Sequence, residues 1–188
     1  LLLNVGQICL RKGQLDLAKA VVGIVQDRGD VHLVIVGQRH SKKQESVDYE
    51  AAIHEEFTRA GCGSHLHMLG YRDDIPDLMN AADILVHAAR QEPFGRTLLE
   101  AASSGLPVIA TDVGGTAEML RPDTDAILVS PGDVGVLQSA IDRALLNPAL
   151  CRELAASARH RIEANFTVKI AADQLAKLWS IEEDCVTV

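Results

Sequence analysis

Residues 83–110 hold a strand, a turn, a helix and a second strand in one uninterrupted run, and a chain built on such a unit is confined to few folds. Asp83-Ile84-Leu85-Val86-His87 is a short apolar run of the kind that forms a buried strand. Pro93-Phe94-Gly95 then interrupts the chain, and a helix is expected to start near Arg96 or Thr97. Thr97 and Glu100 stand at the spacing of a capping box, Gly105 is the expected stop, and residues 107–110 form the next strand.

The same rhythm extends in both directions. Strands are expected at 1–8, 32–36, 65–69 and 126–130. Between them, Leu15, Leu17, Ala18, Val21, Val22 and Val25 recur at helical spacing, and so do Tyr49, Ala52, Ile53, Phe57 and Ala60. Short helices are expected at 74–82 and 116–120, the latter after a Gly114-Gly115 turn. Strands alternating with helices imply right-handed βαβ units, hence a Rossmann-like α/β/α layering around a mostly parallel sheet. After residue 132 only helical patterns remain, with apolar stripes Val136-Leu137-Ala140-Ile141-Ala144-Leu145, Leu150-Leu154-Ala158-Ile162 and Ile170-Leu175-Leu178-Trp179. At 188 residues and 47% hydrophobic, the chain fits one domain with its own core, 1–132 alternating and 133–188 helical.

Ligands of open parallel sheets bind beyond the carboxyl ends of the strands, where a helix amino terminus offers free N–H groups to an anion. Glu92 and Glu100 flank such a terminus with seven residues between them. Amides suited to phosphate beside carboxylates suited to hydroxyls describe a site for a sugar nucleotide.

Glu92-x7-Glu100, with Phe94-Gly95 inside it and the run from Glu100 through Gly105-Leu106-Pro107 to Gly114-Gly115 and Glu118 after it, resembles the donor-binding half of retaining GT-B glycosyltransferases of group 1 (family 4). Val5-Gly6-Gln7 through Lys12-Gly13, 33–37, Leu69-Gly70-Tyr71-Arg72 and 127–133 follow in the family's order, so the resemblance covers almost the whole chain. It implies metal-independent transfer, without a cofactor, of a sugar from a nucleotide-diphosphate donor to an acceptor, with retention. By the same resemblance Glu100 holds the ribose hydroxyls and Glu92 the transferred sugar, while backbone N–H groups of Phe94, Gly95, Arg96 and Thr97 reach sugar and phosphate, with Pro93 in the same donor-binding run. Gly6, Gln7 and Lys12 face the diphosphate, and Tyr71 and Arg72 the base. The family often has Arg where this chain has Gln7, so Lys12, with Arg11 or another group, must supply the cation. Lys12 and Glu92 are the expected catalytic residues. Glu118 is either a first-turn partner of the helix dipole or a donor contact. Two alternatives stay open: a nucleotide-sugar epimerase of the same architecture, and a non-catalytic binding or regulatory module.

A net charge of −8 and 3% aromatic residues argue against nonspecific nucleic-acid binding. No apolar run reaches membrane-spanning length. Cys9, Cys62, Cys151 and Cys185 have no C-x-x-C spacing and are expected as free thiols in a reducing cytoplasm, with peripheral attachment to the inner membrane face as a further option. The opening strand lacks a leading Met, and the chain is read as a piece whose amino-terminal, acceptor-binding domain is absent. His65 and His67 are expected on one strand face without a third metal ligand, and His87 as a strand-end packing residue.

Overall fold

A computed structural model of the protein describes the backbone of residues 1–183 and the side chains of residues 1–179. Four-residue runs, apolar but for Asn4, His87 and Thr111, form the strands β1 (Leu2–Val5), β2 (Leu33–Val36), β4 (Ile84–His87) and β5 (Val108–Thr111); β3 (Leu66–Gly70) and β6 (Ile127–Val129) lie at the two edges. All pairings are parallel, in the order β3-β2-β1-β4-β5-β6. The order reverses between β1 and β4, which makes the crevice at their carboxyl ends the switch point of a doubly wound sheet.

The strands are apolar on both faces because both are covered. Leu2, Ile35, Val86, Ile109 and Val129 pack under α1 (Gln14–Arg28), α2 (Gln44–Arg59) and α6 (Val134–Leu146). Leu3, Val34, Leu85, Val108 and Ala110 pack under α3 (Ile75–Ala81), α4 (Arg96–Ser103), α5 (Thr116–Met119) and α7 (Pro148–Asn165). Asp133 caps α6, its carboxylate accepting from the Val136 N–H at 3.0 Å. Buried Asp125 takes Arg121 and the Ser157 hydroxyl, while Arg161 of α7 donates to the carbonyls of Glu118 and Met119, both at 2.8 Å. The helical tail is thereby tied to α5 and to the loop between α5 and β6.

Several expectations need correction. Val136 is solvent-exposed and drops out of the α6 stripe. The third stripe falls on α8 (Val168–Glu183), whose Leu175, Leu178 and Trp179 are exposed: helical spacing found the helix, but nothing among the described residues covers that face. His65 ends a 3-10 turn (Gly63–His65) rather than standing in β3, so it shares no strand face with His67. Cys9, Cys62 and Cys151 are free thiols, and Cys185 lies outside the described residues. Among the described residues no helix is long and apolar enough to cross a membrane.

Candidate functional site

The loops that follow β1 and β4 meet over the switch point. After β1 the chain runs through a 3-10 turn (Leu10–Lys12) into Gly13, whose left-handed φ of 66° sets the start of α1. The Arg11 carbonyl accepts from the N–H groups of Arg90 (2.8 Å) and Gln91 (3.1 Å), and the Arg90 guanidinium makes a two-pronged pair with Asp16 at 2.8 and 2.9 Å. The loops are so close that a Cβ on Gly13 would lie 1.9 Å from the Ala88 carbonyl oxygen. From the other side, a Cβ on Gly114 would lie 1.9 Å from the Glu92 carbonyl oxygen, at a φ of 53° that a side chain seldom adopts. Thr111 donates its hydroxyl to the Ala89 carbonyl at 2.5 Å, fixing the same loop to β5.

This scaffold brings Lys12 and Glu92, 80 residues apart in sequence, into contact. The Lys12 ammonium donates to Oε2 of Glu92, and the Nε2 of His87 lies 3.2 Å from that same oxygen. His87 is the last residue of β4 and is buried; the Lys12 and Glu92 side chains are 13% and 9% exposed. The hydrogen bond from His87, then Lys12, holds the Glu92 carboxyl at about 2, against an ordinary value of 4.5 and against the effect of burial. Glu92 is therefore an anion at neutral pH. It lines a cavity of about 420 Å³ with Arg90, Gln91, Pro93, Val113 and Gly114. Gly6 stands beside the ammonium: a Cβ there would sit 3.8 Å from Nζ of Lys12.

The N-cap of helix α4 lies two residues before the one the capping box required. That N-cap is Gly95, at a φ of 85°, with no side-chain cap, so Thr97 is the second helical residue and Glu100 the fifth. Thr97 and Glu100 show the capping-box spacing from inside the helix, where residues three apart share a face whatever their role. The Leu98 N–H already donates to the Gly95 carbonyl at 2.9 Å, so the N–H groups of Arg96 and Thr97 are the ones this helix end offers to an anion. Glu100 is exposed and lines a cavity of about 370 Å³ with Ile75, Pro76, Met79 and Ser104.

A third cavity, of about 360 Å³, opens at the carboxyl ends of β1, β2 and β3, lined by Gly6, Gln7, Gly37, Tyr71, Arg72 and Ile75 among others. Ile75 borders both this cavity and that of Glu100. Tyr71 is 74% exposed, and Arg72 is engaged with Asp74 at 2.8 and 2.5 Å rather than standing free. The Gln7 carbonyl accepts from the Gln14 side chain at 2.9 Å, which pins the turn after β1. Pro93, Phe94 and Arg96 are exposed, Thr97 partly so, around the buried Gly95. Glu118 contributes its carbonyl to Arg161 while its side chain is exposed.

Gly6, Lys12, Glu92, Gly95 and the start of α4 thus converge, with Glu100, Tyr71 and Arg72 around neighbouring cavities. Sequence reasoning missed the contact of His87 with Glu92. Its signal was available in a histidine at the end of a central strand, five residues before the key carboxylate. It also missed the Asp16–Arg90 clasp, which carries no local signature. The second histidine of the expected pair has another neighbour: Nδ1 of His32 lies 3.1 Å from Nε2 of His67, and His65 stacks on His32 at 4.6 Å. Among the described residues no group of three or more His, Cys, Asp or Glu is arranged to hold a metal ion.

The family model for glycosyl transferases group 1 matches residues 1–161. The chain is 33% identical over 162 residues to the lipopolysaccharide glucosyltransferase WaaG of Escherichia coli (strain K12), covering 85% of this chain and 41% of that protein. It is 27% identical over 178 residues to a glycogen synthase of Mycobacterium tuberculosis, covering 95% and 42%. The chain spans less than half the length of these curated relatives. Among solved structures, HepE of Anabaena in complex with UDP superposes with a TM-score of 0.87 at 29% identity, over 95% of this chain and 48% of that one. HepE has also been solved in complex with UDP-glucose. Sucrose-phosphate synthase of Thermosynechococcus elongatus superposes with a TM-score of 0.87 at 28% identity, over 98% and 45%.

Proposed function

The chain belongs to the group 1 glycosyl transferases, and from that premise we propose that it is the donor-binding half of a GT-B enzyme that transfers a sugar from a nucleoside diphosphate to an acceptor with retention. The observation that carries the proposal is the meeting of Lys12 and ionised Glu92 over the β1/β4 switch point, beside the open amino terminus of α4. The diphosphate lies against that helix end and the Lys12 ammonium, which stabilises the negative charge that grows on the leaving group as the glycosidic bond breaks. No metal is assigned to this task. Glu92 accepts hydrogen bonds from the sugar and Glu100 from the ribose, each a charge-assisted bond. Gly95 lets the backbone approach the donor, and Tyr71 and Arg72 border the base. The UDP and UDP-glucose bound by HepE support this class of ligand. The acceptor site belongs to a second domain, and the free thiols support a cytoplasmic setting.

Thermal melting of the 188-residue chain with millimolar UDP, GDP and ADP tests the reading. A shift following RT ln(1 + [L]/Kd) is expected for at least one of them, and no shift with any would refute it. The chain alone should transfer nothing, so detectable turnover would remove the need for a second domain. Gln7, a neutral residue at the phosphate edge, favours a second reading as a binding module without turnover. Full-length protein that binds donor but transfers to none of a panel of acceptors would select that reading.

A further inference from the structure

The ammonium of Lys12 and the imidazole of His87 converge on one oxygen of Glu92. Both groups hold the same carboxylate, but their situations differ. Lys12 sits on a four-carbon stem at the end of a loop turn, where its ammonium can turn to an incoming diphosphate. His87 is buried at 2% exposure at the end of a central strand, between β1 and β5, and has no comparable freedom to leave. Among the described residues the other oxygen of Glu92, Oε1, takes no side-chain hydrogen bond, and the residue borders a cavity.

We propose that His87 is a positioning residue for the donor sugar: its Nε2–H keeps Oε2 of Glu92 in place when Lys12 turns to the diphosphate, so that the carboxylate still meets the sugar hydroxyls in a fixed orientation. The inference rests on the proposed function, and it assigns His87 a role beyond packing. A ring nitrogen this near a carboxylate oxygen must carry the proton to make an attractive bond, so the required tautomer follows from the geometry. Preorganisation then explains the arrangement, since a carboxylate already oriented loses little freedom when sugar binds.

The test compares UDP with UDP-glucose, or the corresponding GDP or ADP pair if that nucleotide binds, by calorimetry on the parent chain and on H87L and H87Q. In the parent the sugar should tighten binding. H87L, which keeps bulk but has no donor, should lose about tenfold of that gain, and H87Q, which keeps an N–H, should restore most of it. A residue that only packs would not make the ratio of the two affinities follow the presence of a donor. If either variant fails to fold, nitrogen-15 NMR of the parent decides: the proton should be on Nε2 of His87 and remain there on saturation with UDP. An unprotonated Nε2, a parent that gains nothing from the sugar, an unchanged ratio in H87L, or equal losses in H87L and H87Q would each overturn the positioning role while leaving nucleotide binding intact. A parent that binds no nucleoside diphosphate overturns the proposed function itself and this inference with it.

Discussion

Replacing Lys12 by Met removes the ammonium and keeps most of the stem, so the variant isolates the ion pair with Glu92. With the two side chains 13% and 9% exposed, the pair is too buried to be worth as little as a surface salt bridge. His87 still donates to the carboxylate after the change, which keeps the loss below the roughly 3–5 kcal/mol of a fully orphaned buried charge. We expect a destabilisation of about 1.5–3 kcal/mol at pH 7, the range for a hydrogen bond to a charged group. For a domain of this size that lowers Tm by roughly 3–12 °C. The effect carries a pH signature with a definite sign. The folded carboxyl titrates at about 2 and the ordinary one at 4.5, so the stabilisation is complete above 4.5 and disappears as pH falls from there towards 2. In K12M the folded value rises towards the ordinary one, and the gap in stability between parent and variant should close over that window. Urea titrations of both proteins at pH 7, 4.5 and 3.5 measure it, with E92Q and the double variant completing a cycle. Equal stability at pH 7, or a gap as wide at pH 3.5 as at pH 7, would refute the account of this ion pair.

Three further outcomes are expected. Q7R should bind nucleoside diphosphate more tightly, with the gain fading as salt rises; calorimetry at two ionic strengths checks this. Because Glu100 caps nothing, E100Q and E100A should both melt within the range of ordinary surface changes, about ±0.5 kcal/mol, while both lose nucleotide affinity; a clear fall in Tm for the Ala variant alone would reinstate the cap. G114A should destabilise by more than about 1 kcal/mol in denaturant titration, since its Cβ would strike the Glu92 carbonyl at a φ that already costs energy for alanine.

Alternation was legible in the sequence because it rests on local chemistry. Runs such as Leu33–Val36 and Val108–Thr111 are too short and too apolar to be anything but strands buried on both faces, and Gly105 sits just past the end of α4 as its stop. The resemblance located Lys12, Glu92 and Glu100 but not how they relate. That Lys12 grips Glu92 depends on the pairing of β1 with β4, a contact between segments 80 residues apart. The false capping box has a different origin. A helix start is decided by where the backbone leaves the helical region, and Gly95 does so at a φ of 85° that a threonine two residues later cannot reveal. The exposed stripe of α8 misled in the opposite way, since helical spacing records an apolar face without recording what lies against it.

The grip on residues 88–92, with Gly13 against the carbonyl at one end and Gly114 against the carbonyl at the other, has a bearing on how saturation mutagenesis of this protein should be interpreted. A library screened for donor binding will score both positions as intolerant of every replacement, alanine included, with a profile as severe as that of a residue touching the ligand. Neither glycine has any side chain to offer a substrate. Their intolerance would chart the fit between three loops, and only an orthogonal readout of abundance, separating protein that is missing from protein that is present but does not bind, would keep them off a map of donor contacts.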